Sequence, residues 1–87
     1  MSYQLFFTRM AQKDAKKLSS SGLKETALEL LNILKSNPFE SPPSFEKLIG
    51  KLSGAYSRRI NVKHRLVYQV IEEQKLVKIL RMWSHYT

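Results

Sequence analysis

The stretch from Leu52 to Tyr68 constrains this chain most. It reads Leu-Ser-Gly-Ala-Tyr-Ser-Arg-Arg-Ile, then Asn-Val-Lys-His-Arg-Leu-Val-Tyr. Two runs of β-type residues flank a polar turn, the pattern of paired strands. Three arginines, Arg58, Arg59 and Arg65, lie inside the stretch, and no Asp or Glu does. Backbone pairing on both sides fixes an arginine in mid-strand, so its charge is positioned rather than loosely tethered. Such strands predict a cationic floor suited to a phosphate, with the rest of the chain supporting or completing it. Side chains alternate along a strand, so Arg58 and Arg59 are expected on opposite faces.

The charge balance extends this reading. Fifteen Lys and Arg against seven Asp and Glu leave a formal net charge of +8 on 87 residues. Six of the cations (Lys47, Lys51, Arg58, Arg59, Lys63 and Arg65) fall between Lys47 and Ile71 without an intervening carboxylate. Because they alternate with Tyr56, Tyr68 and β-branched residues, they fit a face for a polyanion, nucleic acid or an acidic protein, better than a solubilising tail. Cysteine is absent, which removes disulfides and thiolate metal sites, and His64 and His85 lack metal-ligand spacing; no metal or cofactor is expected. No apolar run nears the roughly 20 residues that cross a bilayer, and the N-terminus lacks a secretory pattern. The expectation is a single domain over residues 1–87, in the cytoplasm.

Tyr3 to Phe7 predicts a first strand, and Thr8 can cap a helix whose inner face is Ala11, Ala15 and Leu18, broken by Ser19-Ser20-Ser21-Gly22. A second helix is expected from about Leu23 to Ser36, with Leu23, Ala27, Leu30, Leu31 and Leu34 as its stripe, stopped by Asn37-Pro38. Phe39 to Lys51 reads as a loop that Phe45 and Leu48 anchor. Three strands follow, about Tyr56–Ile60, His64–Ile71 and Leu76–Met82, with the polar turn Glu72-Glu73-Gln74-Lys75 between the last two. The order β-α-α-β-β-β predicts an α+β fold: an N-terminal strand, an αα-hairpin and a three-stranded antiparallel meander, in one sheet with the helices packed on it.

Few parts are needed to cut RNA without a metal. A base removes the 2′-hydroxyl proton, fixed cations hold the phosphate as charge builds on it, and an acid protonates the departing 5′-oxygen. DNA lacks that hydroxyl, so such a site selects RNA. Glu46 is the leading base candidate, being the only carboxylate in the basic half before Glu72; its alternative is a surface pair with Lys47 or Lys51. Arg65 and Arg59 are the phosphate candidates, since guanidinium grips two oxygens at once; the alternative makes all three arginines exposed sheet residues. His85, near the end of the sequence, suits proton transfer, or else belongs to a surface tail. Tyr86 can stack on a base or donate a hydrogen bond. Tyr56 and Trp83 are core or platform, and His64 reads as structural.

These residues carry a resemblance. Asn37-Pro38-Phe39-Glu40, Phe45-Glu46-x-Leu48, Leu52-Ser53-Gly54-x-Tyr56-Ser57-Arg58-Arg59-Ile60, His64-Arg65-Leu66-Val67-Tyr68 and His85-Tyr86 closely resemble the Txe/YoeB toxins of the RelE/ParE superfamily. The resemblance implies the RelE-like microbial RNase fold and a bacterial type II toxin that cuts mRNA in the A site of the 70S ribosome. It implies Glu46 as general base, Arg65 on the phosphate with Arg59 assisting, His85 as general acid and Tyr86 as a substrate-positioning residue. The partners it implies are a YefM/Phd-type antitoxin, operator DNA only through the antitoxin complex, and, as a further state, a second copy of the chain. The family often has a lysine three residues after the glutamate, where this chain has Ile49; Lys51 is favoured over Lys47 to supply that charge. The rival class is a non-nucleolytic toxin, a ParE-like gyrase inhibitor or a corepressor module.

Overall fold

The structure, a computed structural model, describes residues 2–82. The chain opens with β1 (Gln4–Phe7), followed by α1 (Arg9–Ser21) and α2 (Lys24–Ser36). After a proline-rich segment come β2 (Glu46–Lys47), β3 (Ala55–Arg59), β4 (Arg65–Ile71) and β5 (Leu76–Arg81). They form one sheet in the order β1-β5-β4-β3-β2. β1 runs parallel to β5, and every other pairing is antiparallel. The α+β architecture is therefore the one expected, with one strand more than the sequence suggested. Glu46 and Lys47, read as loop, pair with Ser57 and Tyr56 as a two-residue edge strand. A two-residue strand is too short to leave a period-2 signal.

Thr8 caps α1 as anticipated, its Oγ1 accepting from the Ala11 N–H at 3.1 Å. The serine run does not break the helix, which continues through Ser21. Ser20 and Ser21 turn their hydroxyls back onto the carbonyls of Lys16 and Leu18, satisfying themselves within the last turns. The break falls at Gly22, whose φ of 83° closes the helix in the left-handed conformation.

Both helices cover one face of the sheet. Ala11 and Leu18 of α1 and Ala27, Leu30, Leu31 and Leu34 of α2 pack on Leu66, Tyr68, Val77 and Ile79. Among the described residues the other face carries only a small cluster of Leu48, Ala55 and Val67, with Leu80 against it. A bulge where β5 passes Val67 and Tyr68 of β4 shifts the register there. Beside it the buried Asp14 of α1 accepts from Arg81 Nε at 2.8 Å and from the Met82 N–H at 3.0 Å, tying the helix to the end of β5.

Candidate functional site

The bare face of the sheet carries the candidate site because strand alternation sends one set of side chains there. Glu46 lies directly opposite Ser57, Ser57 opposite Val67, and Arg59 opposite Arg65. Glu46, Ser57, Arg59 and Arg65, with Ser44, line a cleft of about 410 Å³. Arg65 Nη1 donates to Glu46 Oε1 at 3.2 Å, with the Glu46 side chain 69% exposed. A pair this open to water contributes little, ~0–1 kcal/mol, so a competing anion displaces it easily. Two guanidiniums facing each other across an antiparallel pair are ordinarily destabilising. One carboxylate cannot neutralise both, and the cleft keeps an excess of positive charge directed at the bare face.

The remaining sequence candidates fall elsewhere. Lys51 is exposed on the 3-10 turn Gly50–Leu52 and does not line the cleft. Lys47, directly after Glu46 on β2, is turned by strand alternation toward the opposite face. Ile49, three residues after Glu46, is 88% exposed. His85, Tyr86 and Trp83 lie outside the described residues. His64 sits in the turn before β4; its N–H donates to Asn61 Oδ1 at 2.7 Å and helps close the hairpin.

Arg58 lies on the face opposite Arg59, as alternation predicted, and its burial overturns the alternative in which all three arginines are exposed sheet residues. It points into the protein, where it is 1% exposed. Its Nη1 donates to the Pro43 carbonyl at 2.6 Å, its Nη2 to the carbonyls of Pro38 and Glu40 at 2.9 Å each, and its Nε to Tyr68 Oη at 3.2 Å. The Phe45 ring centroid lies 5.0 Å from its guanidinium carbon. The Tyr68 hydroxyl in turn donates to the Pro38 carbonyl at 2.9 Å. Burial pushes the Tyr68 phenol above its ordinary pKa, and the Arg58 charge and hydrogen bond offset part of that rise. Tyr56 joins this layer as core, its ring centroid 5.3 Å from that of Phe39 and 5.7 Å from those of Phe45 and Tyr68. Arg58 thus acts on the loop that leads into Glu46, not on the cleft.

Ser57 and Ser44 are cleft residues that the sequence reading passed over. Ser57 was accessible to it, since a residue two positions before Arg59 on a strand shares its face. Ser44 precedes β2 and carried no signal. Among the described residues no group of three or more His, Cys, Asp or Glu can hold a metal, and no helix is long and apolar enough to cross a membrane.

A helical hairpin on one face of a β1-β5-β4-β3-β2 sheet, with a cleft on the other, is the RelE/YoeB-like microbial RNase fold. A YoeB/ParE toxin from Agrobacterium tumefaciens superposes with a TM-score of 0.87 at 27% identity, over 95% of this chain and 99% of that one. Residues 7–86 match the family described as the YoeB-like toxin of bacterial type II toxin-antitoxin systems, and the chain belongs to that family. The chain of a YoeB-YefM complex from Staphylococcus aureus is 34% identical with a TM-score of 0.81, covering 99% of this chain and 100% of that one. Toxin YoeB of Escherichia coli K12 is 42% identical over 53 residues, which is 61% of this chain and 63% of that protein. The chain thus spans less than two thirds of the curated relatives it matches.

Proposed function

We propose that this chain is the toxin of a type II toxin–antitoxin pair and arrests translation by cutting mRNA on the ribosome. Support comes from the family membership and from one observation above all: opposed Arg59 and Arg65 share a cleft with a single, weakly held carboxylate. An entering phosphodiester takes Arg65 from Glu46, which frees the carboxylate in the act of binding. Glu46 then removes the 2′-hydroxyl proton, and the oxygen attacks the adjacent phosphorus. Arg65 and Arg59 hold the phosphate oxygens as negative charge builds. His85 protonates the departing 5′-oxygen, leaving a cyclic phosphate and a free 5′-hydroxyl, while Tyr86 positions the substrate and Lys51, on the turn after β2, adds longer-range positive potential. Acid and base each contribute on the order of 10²–10⁴ in rate, and the route needs no metal.

The ribosome supplies the substrate's conformation, so mRNA on ribosomes is cut much faster than free RNA. Such work belongs in the cytoplasm. The partner is an antitoxin of the YefM type, the type named in the S. aureus YoeB-YefM complex; an acidic one suits the net charge of +8, and operator DNA is reached only through the toxin–antitoxin complex. A homodimer is a further state, since a YoeB dimer from S. aureus has 34% identity to this chain. The test is primer-extension mapping of mRNA after induction. Discrete cuts near codons, lost together with growth arrest in Arg65→Ala and His85→Ala, are expected. Intact mRNA with DNA damage, or full toxicity in both variants, overturns the nuclease reading.

A further inference from the structure

One polar group in the cleft has no task in the scheme above. Ser57 is 1% exposed, and its hydroxyl has no hydrogen-bond partner among the described residues. Its backbone is held on both sides, opposite Glu46 of β2 and Val67 of β4, so the side chain stays on the cleft face. It lines the cleft between Glu46 and the two arginines.

Leaving a buried hydroxyl unbonded is destabilising, and native proteins rarely tolerate it without a reason. Alanine would fill the same volume without that penalty. The Arg65–Glu46 pair passes it by: Arg65 donates to Glu46, and Glu46 accepts nothing from Ser57 although the two residues are directly opposed. Among the described residues the hydroxyl has no acceptor, and the cleft they line carries excess positive charge without an anion to balance it. A non-bridging phosphate oxygen answers both. We infer that Ser57 is a substrate-contacting residue whose hydroxyl donates a hydrogen bond to a non-bridging oxygen of the RNA phosphate held by Arg59 and Arg65. The inference rests on the nuclease reading and adds to it a third, neutral donor, fixed in place before the substrate arrives. Because the oxygen it meets gains charge as the 2′-oxygen attacks, the bond strengthens toward the transition state.

The test compares wild type, Ser57→Ala and Ser57→Thr for single-turnover cleavage of ribosome-bound mRNA at saturating ribosome, alongside urea unfolding of each full chain. One hydrogen bond to a charged acceptor is worth about 10- to 100-fold in rate. Ser57→Ala is therefore expected to cut at least about tenfold more slowly while unfolding at the same or a higher urea concentration, because it sheds an unbonded buried hydroxyl. A merely structural serine would instead lose rate and stability together. Ser57→Thr, which keeps the hydroxyl, recovers rate relative to Ser57→Ala. A smaller fall for Ser57→Ala, a fall matched by lost stability, or a Ser57→Thr rate no better than that of Ser57→Ala overturns the inference and leaves the nuclease reading standing. Wild-type protein that leaves ribosome-bound mRNA intact overturns the nuclease reading, and this inference with it.

Discussion

Replacing Arg58 with methionine tests whether a guanidinium with no acidic partner can organise a fold. Methionine nearly matches the arginine stem in length and removes all of its donors. Four hydrogen bonds of 2.6 to 3.2 Å are lost. Hydrogen bonds to a charged group are each worth about 1.5–3 kcal/mol, but the four do not simply add. The Pro38 carbonyl keeps its bond from Tyr68, and the carbonyls of Glu40 and Pro43 lie on exposed or half-exposed residues that water can reach. Removing the guanidinium also relieves its own burial, which costs several kcal/mol in the folded protein. The Phe45 ring, 5.0 Å from the guanidinium carbon, loses a cation–π contact of about 1–2 kcal/mol. The balance is a loss of about 3–4 kcal/mol.

Against roughly 0.05–0.15 kcal/mol per residue for a typical domain, that is a large share of the stability of an 87-residue chain. With a urea m-value of about 1 kcal/mol/M for a domain this small, the midpoint drops by about 3 M. Arg58→Lys keeps the charge without the fork and should recover about half of the loss. Urea unfolding followed by far-UV circular dichroism reads all three proteins. A methionine variant within about 0.5 M of wild type would refute the reasoning, since the loop carbonyls would then be shown not to need the guanidinium.

Three other outcomes follow from the same structure. Burial alone would raise the Asp14 carboxyl, but hydrogen bonds from Arg81 and the Met82 N–H, with the charges of Arg81 and Lys17, outweigh it and hold Asp14 below the usual carboxylate range. Its contribution is therefore complete above the unfolded value of about 3.9 and fades as pH falls through the lower folded value. Asp14→Asn should cost about 1–2 kcal/mol near neutrality, a figure discounted because the Arg81 side chain is 37% exposed, and the gap to wild type should narrow between about pH 5 and pH 2; a gap constant over that range refutes it. Glu46→Gln should leave the urea midpoint within about 0.5 M of wild type and still lower cleavage by about 10² or more, so comparable losses in both would make Glu46 structural. Because Lys51 does not line the cleft, Lys51→Ala should slow cleavage only about two- to threefold, through lost longer-range positive potential, and more at low salt than at high; an unchanged rate at low salt removes Lys51 from the reading.

What the sequence disclosed follows the range of the forces involved. The helices were legible because Ala11 and Leu18, and Ala27, Leu30, Leu31 and Leu34, repeat at helical spacing, and that repeat is also what packs them on the sheet. The opposed directions of Arg58 and Arg59 were legible from alternation alone. The burial of Arg58 was not legible because its partners are backbone carbonyls of Pro38, Glu40 and Pro43, and a carbonyl leaves no mark in composition or spacing. The clue available was indirect: three prolines in one loop remove three N–H donors, leaving carbonyls that need donors from elsewhere. β2 was invisible for the same reason, since pairing with β3 makes it a strand and its own two residues do not.

β3 connects these two kinds of residue. Ser57 and Arg59 face the cleft, while Arg58 between them reaches the loop that delivers Glu46. One strand therefore sets the phosphate-facing side chains and, through its other face, the position of the carboxylate beside them. A shift of β3 by one residue would exchange the two sets, burying Arg59 and exposing Arg58. The register is specified from both sides: Arg58 is held by carbonyls only the buried face offers, and Arg59 opposite Arg65 is tolerable only where water or an anion can reach both. Fold and cleft share that constraint, so a variant that loosens the Arg58 contacts should weaken cleavage even when assayed at equal folded fraction.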